Sequence, residues 1–463
     1  MIQPVTLNIA DGGLGYGLIG IDGLHAKLGI AEGGAANTMY DVGSKRMAVA
    51  YFGKGALVDS LTRHFDEGGL KCLAMRPDND ISGSIGTITH TGTGTATMQA
   101  AGTVMGARNF VIDIVAGGTF EVATFRWSDD GGINWSDVFI TPPASTPIIL
   151  SCGVSISFTG TEDCFVKGDR YSFSTIAPGA SVASFLTAID ALKNHYNPDS
   201  AAYTFIHIVG GFERSFWEAI KAKEEEFEAK RIFIRFVLEY PPKDDSSTVE
   251  SYLQGMIDEC KLFSSKKIAI VGGRIRYGSD SDFKSAATLL CAKLSQCKVN
   301  EHPGYVRKYA STIAKEIEFW DDGLQDYIED LNDANVIIAV QYANWKGMFI
   351  KKDNIMAPDD SDYQTIHHGR VIDKVRKIAY QHIMPFVNGV AEGGESGIDS
   401  LVAEIDAAIA TNMEVPGNEE IVKHEVVIDP DQDITSGELK GQIHIYPTNI
   451  MEKISIDVGY RKE

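Results

Sequence analysis

Apolar and polar residues alternate in short runs through the middle of the first half of this chain. Residues 81–178 contain segments such as NFVIDIVAGG and VSISF, in which apolar side chains recur at every second position between Gly, Asp and Pro. A period of two is typical of half-buried strands. The pattern predicts an all-β sandwich of about seven or eight strands.

Helical spacing begins directly after this segment and then alternates with buried strands. Residues 179–345 contain the strand-like runs YTFIHIVGG, RIFIRFVLEYPP, KKIAIVGG and NVIIAVQYA, separated by amphipathic helices such as SFWEAIKAKEEEFEAKR. Strands that alternate with helices of this length predict a mostly parallel sheet. The sandwich is therefore interpreted as an insertion into a surface loop of an α/β body.

The predicted fold class is an α/β (α+β) multidomain protein. Two further helices, GRVIDKVRKIAYQHIMPFVNG and GIDSLVAEIDAAIATNM, follow the α/β series. The predicted zones are residues 1–20 as an N-terminal arm, 21–80 as the first part of the α/β body, 81–178 as the inserted and outward-facing sandwich, 179–345 as the rest of the body, 346–437 as a C-terminal domain, and 438–463 as a C-terminal arm.

Amphipathic strand patterns occupy both arms. The apolar positions are Val5, Leu7, Ile9, Ile443, Ile445, Ile454, Ile456 and Val458. Four glycines follow the first strand and predict a pliant hinge: Gly12, Gly13, Gly15 and Gly17. Unpaired strand edges recruit other chains, so the arms are interpreted as strands that add to neighbouring subunits. The alternative is that both ends fold back as edge strands of their own domain.

Charge and composition exclude several classes of protein. The 463 residues include 42 basic and 63 acidic side chains, a net charge of −21, which opposes general nucleic-acid binding. No apolar run is long enough to span a bilayer, and the opening MIQPVTLNIADGG lacks the features of a secretion signal. The six cysteines form no metal-ligand spacing with histidines, so buried thiols are expected; a disulfide between Cys152 and Cys164 is the alternative.

Motifs that would indicate an enzyme are present only without the neighbouring residues that their chemistry requires. Gly15, Gly17 and Gly20 spell G-x-G-x-x-G, but Gly23 interrupts the helix that a dinucleotide would require. The segment IVGGRIRYGSDSD has the glycine spacing of a P-loop without its Lys and Ser/Thr. His367 and its neighbour His368 are expected to be surface residues. We expect no enzymatic activity, no catalytic residue, no cofactor and no metal.

The hairpin sequence WSDDGGINW supports an alternative function. Ser128, Asp130, Gly132 and Trp135 nearly match the Asp-box turn of sialidase propellers. A propeller would repeat the motif, and this chain has one copy, so a structural turn is the favoured interpretation. A carbohydrate-binding or glycan-processing protein built on this β-domain is the alternative function.

Several segments together resemble the tail sheath protein of contractile phage tails and related bacteriocin or injection particles. VTLNIADGGLG and GLHAKLGIAEGG look like the N-terminal arm and first strands of that family. GRVIDKVRKIAYQHIMPFVNG resembles its C-terminal-domain helix, and YPTNIMEKISIDVGY its closing strand. The segment from GTATMQAAGT to RYSFSTIAP looks like a β-domain inserted in some members.

The resemblance implies a structural subunit whose hexameric rings stack helically around a tail tube and contract to drive the tube through a target cell envelope. The implied partners are other copies of the chain, the tube protein, and baseplate and tail terminator proteins, without membrane insertion. The implied location is a virion tail or phage-tail-like particle, assembled in the cytoplasm of a bacterial host. Residues 346–437 would face the tube through Arg370, Lys374, Arg376 and Lys377; a solvated helix face is the alternative for these four cations.

Overall fold

The computed structural model describes residues 21–197, 202–278, 280, 282–390, 397–428 and 437–451. In chain order, the α-helices of these residues are α1 Lys45–Phe52, α2 Ala56–Asp66, α3 Val182–His195, α4 Arg214–Ala229, α5 Val249–Lys261, α6 Ala287–Gln296, α7 Ile328–Asp333, α8 Ile366–Ile383 and α9 Ile398–Met413. Short 3-10 turns cover Ile21–Gly23, Leu324–Tyr327 and Met384–Phe386.

The strands are, in the same order, β1 His25–Leu28, β2 Tyr40–Val42, β3 Cys72–Met75, β4 Ser84–Ile85, β5 Thr89–Thr91, β6 Thr97–Gly102, β7 Arg108–Ala116, β8 Thr124–Ser128, β9 Phe139–Ile140, β10 Ile148–Ile149, β11 Val154–Thr159, β12 Arg170–Ile176, β13 Phe205–Gly211, β14 Arg235–Glu239, β15 Ile268–Val271, β16 Arg274–Tyr277, β17 Lys284–Ser285, β18 Ala314–Ile317, β19 Val336–Ile337, β20 Ala339–Val340, β21 Phe349–Ile350, β22 Ile421–Ile428 and β23 Gly441–Pro447.

The chain divides into two compact units. The first comprises Met1–Ala26, Arg63–Leu73 and Tyr196–Glu463, and the second comprises Lys27–Thr62 and Ala74–His195. Among the helices that the structure describes, none combines the length and the apolarity that crossing a lipid bilayer requires.

A parallel sheet forms the centre of the first unit. Strands β13, β14, β15 and β19 pair in parallel, in the order β19-β15-β14-β13. The sheet continues from β13 to β1 and β3, two strands whose first residues belong to this unit. All five residues of β14 and all four of β15 are buried, as expected for parallel strands covered on both faces. Helix α4 buries Phe216, Trp217 and Ile220 on one side. The predicted α/β fold class is confirmed.

The second unit contains an antiparallel β-sandwich. One sheet has the order β10-β11-β6 and the other has the order β4-β12-β7-β8-β9, with β5 also pairing with β12. Aromatic side chains, among them Phe110, Phe125 and Phe158, form much of the buried core of the sandwich. The all-β character is as predicted. The strand number exceeds the predicted number because β4, β5, β9 and β10 span only two or three residues, too few for alternation to show. Cys152 and Cys164 are both free thiols.

Candidate assembly interface

Two helices and a hairpin form the C-terminal part of the first unit. Helix α8 begins where the Thr365 hydroxyl accepts a hydrogen bond from the His368 backbone N–H, a common way to satisfy a free donor at a helix start. Helix α9 packs against α8 through residues at i and i+4 spacing, such as Leu401 and Ile405. These apolar faces create the surface on which the hairpin lies.

Strands β22 and β23 pair antiparallel, with Val426 opposite Ile443 and His424 opposite Ile445. Alternate side chains face the helices: Val426, Ile443 and Ile445 pack against their apolar core. Val427, on the other face, is 43% exposed. Strand β22 was not predicted from the sequence, because its segment IVKHEVVI carries charged residues between the apolar ones.

Within the described residues, no further strand pairs with the outer edges of this hairpin. In the part of the chain that the structure describes, this sheet contains β22 and β23 alone, so each strand has one edge without a neighbouring strand there. Such an edge presents backbone donors and acceptors that another strand can pair with. The hairpin therefore offers a site for strand addition.

An apolar groove lies beside the hairpin. It has a volume of about 740 Å³ and runs between the start of α9 and the hairpin, with Phe386, Leu401, Ile405, Val426 and Ile443 among its walls. The inward-facing residues of the hairpin are only partly buried, so their apolar surface is incompletely covered by the described residues.

The predicted strand-exchange residues fall into two groups. Ile443 and Ile445 lie in β23 and pair with β22 of the same chain. The remaining predicted residues lie outside the described ranges: Val5, Leu7, Ile9, Ile454, Ile456 and Val458, together with the hinge glycines Gly12, Gly13, Gly15 and Gly17. Their role between subunits stays a prediction.

Two of the four predicted tube-contacting cations are engaged inside their own unit. Arg370 is 4% exposed, and one guanidinium nitrogen lies 2.8 Å from the backbone oxygen of Asp22; burial lowers its pKa. Lys374 Nζ lies 2.8 Å from a carboxylate oxygen of Asp22 and 2.6 Å from one of Glu420. Burial lowers the pKa of Lys374, but these two carboxylates outweigh it and the net shift is upward. We therefore assign Arg370 and Lys374 a structural role.

Of the other two cations, Arg376 has a more exposed side chain than Arg370 or Lys374. Arg376 pairs with Glu228, and its guanidinium lies 4.1 Å from the centre of the Phe233 ring, yet its side chain is 37% exposed. Lys377 is half-buried. A contact with another protein stays a prediction for these two residues.

A buried charge cluster was not anticipated from the sequence. Asp373 lies 2.8 Å from Arg235 Nε and 2.7 Å from Lys267 Nζ. Two cations share one carboxylate in a nearly dry environment, which makes each of the three side chains dependent on the others. The cluster ties α8 to β14 and to the start of β15, and so positions the C-terminal helices on the parallel sheet.

His367 contradicts the expectation of a surface residue. Its side chain is 1% exposed, and Nδ1 lies 2.9 Å from both carboxylate oxygens of Asp353. The expectation was wrong because Asp353 is distant in sequence and only the fold brings it to the start of α8. His368 is half-buried.

The Asp-box-like hairpin has the geometry of a structural turn. Asp130 Oδ1 accepts a hydrogen bond from Ser128 Oγ at 2.6 Å and another from the backbone N–H of Asn134 at 2.9 Å. These bonds hold the pKa of Asp130 well below its usual range. The Arg126 guanidinium lies 4.1 Å from the centre of the Trp135 ring. The carboxylate is thus engaged in holding the turn, as the favoured interpretation expects.

The glycine motifs do not open helices where the structure describes them. After β15, the chain passes through Gly272 and Gly273 into β16, which pairs antiparallel with β17 and β18. A P-loop would continue into a helix at this point. Likewise, the short turn Ile21–Gly23 leads to strand β1; Gly15, Gly17 and Gly20 lie outside the described residues.

Comparison with solved structures shows the same fold in sheath proteins. A sheath tail protein from Desulfitobacterium hafniense is 14% identical, with a TM-score of 0.51, and the alignment covers 96% of this chain and 100% of that one. The helical sheath of the anti-feeding prophage in its contracted state is 10% identical, with a TM-score of 0.53 and 99% of each chain covered. The contracted sheath complex of the extracellular contractile injection system PVC is 8% identical, with a TM-score of 0.52, covering 99% of this chain and 98% of that one.

Sequence comparison shows the family. No curated protein sequence matches the chain. The profile of the DUF2586 N-terminal domain matches residues 2–354, and that of the DUF2586 C-terminal domain matches residues 362–463. The resemblance to tail sheath proteins is confirmed at the level of the fold, and the chain belongs to the DUF2586 family.

Proposed function

We propose that this chain is a structural subunit of a contractile tail sheath. Copies polymerise as stacked hexameric rings around a tail tube and contract to drive the tube through a target cell envelope. The likeness to sheath proteins along nearly the whole chain supports this function. The observation that carries it is the two-stranded hairpin β22-β23, whose outer edges are open within the described residues and whose apolar face is half-covered.

Strand addition at this hairpin would link the subunits. The N-terminal strand with Val5, Leu7 and Ile9 is proposed to pair with an outer edge of the hairpin of another copy, and its apolar face to cover the groove. About five ladder hydrogen bonds at ~1 kcal/mol each would contribute ~5 kcal/mol, before apolar burial is counted. Gly12, Gly13, Gly15 and Gly17 are proposed to act as the hinge that preserves the link during contraction.

The other partners follow from the same function. Arg376 and Lys377 are proposed to meet acidic patches on the tube protein, and the ends of the sheath to contact baseplate and tail terminator proteins. The subunit would act as an assembly protein without enzymatic activity. It would be located in a virion tail or phage-tail-like particle that forms in the host cytoplasm.

Polymerisation of the purified protein tests the proposal. We expect negative-stain electron microscopy to show hollow cylinders. The substitution Ile443→Lys places a charge on the half-covered face of the hairpin, where an added strand would have to bury it, so cylinders should be lost. The control is Val427→Lys, on the exposed face of β22. It changes the net charge equally and should leave the cylinders intact.

Thermal unfolding of both variants as isolated subunits separates a failure of assembly from a failure of folding. A folded Ile443→Lys variant that still forms normal cylinders would contradict strand addition at this face. A wild-type protein that stays monomeric under every polymerising condition would contradict the sheath function itself.

A further inference from the structure

Three buried side chains of the first unit converge from three different secondary-structure elements. His25 lies in β1, His64 in the last turn of α2 and Cys72 in β3, and all three are fully buried. One ring nitrogen of each histidine and the Cys72 sulfur all lie within 4.8 Å of one another. The intervals of 39 and 8 residues match no short metal-binding pattern, so the local sequence does not indicate this cluster.

Backbone carbonyls orient both rings. His25 Nδ1 lies 3.3 Å from the carbonyl oxygen of Gly23, and His64 Nε2 lies 2.7 Å from that of Leu70. In a neutral imidazole, a ring nitrogen that faces a carbonyl oxygen carries the proton, and the other nitrogen has the lone pair that a metal ion binds. This arrangement is characteristic of histidines that bind metal ions, in which the far N–H is held by a carbonyl or carboxylate.

The surrounding structure holds the rings in place. His25 stacks on Phe205 with ring centres 4.5 Å apart and planes within 5° of parallel. A Cβ atom at Gly69 would lie only 2.4 Å from the His64 ring, so this ring packs directly against backbone. The segment that carries His64 and Cys72 is tied to α6 by the ion pair between Glu67 and Lys293, at 3.1 Å.

We propose that His25, His64 and Cys72 bind a Zn²⁺ ion. Two imidazoles and a thiolate are ligands that Zn²⁺ prefers, at about 2.0–2.1 Å for nitrogen and about 2.3 Å for sulfur. Ligand atoms around one tetrahedral ion at these distances lie about 3.3–3.6 Å apart. The three ligand atoms, which lie within 4.8 Å of one another, would therefore move closer together on binding. Binding replaces the thiol proton of Cys72, which leaves to solvent. A fourth ligand, such as a water molecule, would complete the tetrahedral coordination.

The ion would join three segments that are separate in the sequence. It would link β1, the end of α2 and β3, and so add a cross-link near the start of the described chain. This inference is independent of the proposed function, because it concerns the folded subunit alone and its readouts need no assembly.

Metal analysis of the full-length protein tests the inference. After incubation with Zn²⁺ and desalting, mass spectrometry of the elements should find one zinc per chain. After exchange with Co²⁺, the absorption spectrum should show a thiolate-to-cobalt charge-transfer band and the d–d bands of tetrahedral cobalt. These measurements use the wild-type protein, so they do not depend on whether a variant folds.

The substitution Cys72→Ala should remove the charge-transfer band and weaken zinc binding by at least about 100-fold, since removing even a partner that orients a ligand costs about 10–100-fold. Cys260→Ala, at a buried thiol of α5, is the matched control and should bind like the wild type. The assignment would be overturned if the wild-type protein bound no zinc, if Cys72→Ala bound zinc as tightly as the wild type, or if a different metal occupied the site.

Discussion

At the scale of single residues, Asp353 shows how the fold creates a charge cluster. Its carboxylate is fully buried, lies 3.4 Å from His302 Nε2, and accepts a hydrogen bond from the backbone N–H of His367 at 2.9 Å. Burial raises the pKa of Asp353, but the two histidines and the hydrogen bonds outweigh it, and the pKa lies below its usual value. The ionised carboxylate therefore stabilises the start of α8.

This downward shift predicts how stability depends on pH. A carboxyl whose pKa is lower in the folded state contributes stability above its unfolded pKa of about 3.9, and this contribution is lost as pH falls through the folded pKa. Asp353→Asn should lower the free energy of unfolding at about pH 6, and its gap from the wild type should narrow towards about pH 3. Urea unfolding across this range measures the gap.

Asp360→Asn, at an exposed carboxylate of the same region, is the control and should follow the wild-type curve. A gap between Asp353→Asn and the wild type that stays constant with pH would show that the ionised form is not what stabilises α8.

At the scale of elements, α8 packs closely against the Arg235 side chain because it has a glycine, Gly369, at the point of contact. A Cβ atom at Gly369 would lie 2.1 Å from the guanidinium carbon of Arg235. That guanidinium cannot easily move, because it donates to the Lys266 carbonyl at 2.9 Å and pairs with Asp373 at 2.8 Å. Glycine at this helical position therefore makes room for the buried cluster between α8 and β14.

Two glycine-to-alanine substitutions should change stability in opposite directions. Alanine is favoured over glycine by about 1 kcal/mol in a helix interior, so Gly255→Ala in α5, where no atom lies within 4 Å of the new Cβ, should stabilise by about 0.5–1 kcal/mol. Gly369→Ala should destabilise by about 1–3 kcal/mol, because overpacking displaces the guanidinium.

Chemical denaturation of the two variants measures both effects. The same sign for the two substitutions would contradict the tight packing described for Gly369, since helix propensity alone would then account for the results.

At the scale of the whole molecule, the net charge of −21 opposes association of identical copies. Raising the ionic strength from about 0.01 M to about 0.15 M shortens the Debye length from about 30 Å to about 8 Å. Strand pairing and apolar burial depend little on this change. Polymerisation of the proposed sheath subunit should therefore increase several-fold over this range, as measured by light scattering and sedimentation.

A second monovalent salt at the same ionic strength is the control and should reproduce the increase. Polymerisation that decreases as salt is added would show that attraction between opposite charges, rather than strand addition, dominates the contacts between copies.

The local pattern of the sequence determined the elements with strong periodicity. Helices such as α4 and α8 bury apolar residues at regular spacing, and β13, β14 and β15 contain runs of mainly apolar, buried residues. Each of these patterns lies within one segment, so it can be recognised without the rest of the chain. The α/β class and the inserted β-sandwich followed from them, and the resemblance to sheath proteins followed from the order of the parts.

Only the tertiary structure decided which polar side chains meet. The pairing of β22 with β23, the burial of Arg370 and His367, and the convergence of His25, His64 and Cys72 all join residues from different segments of the chain. The residues next to a cation or a histidine in the sequence do not show whether its side chain is solvated or buried beside a partner. Its role is set by the desolvation and the charges that the fold brings around it, and these are absent from any single segment.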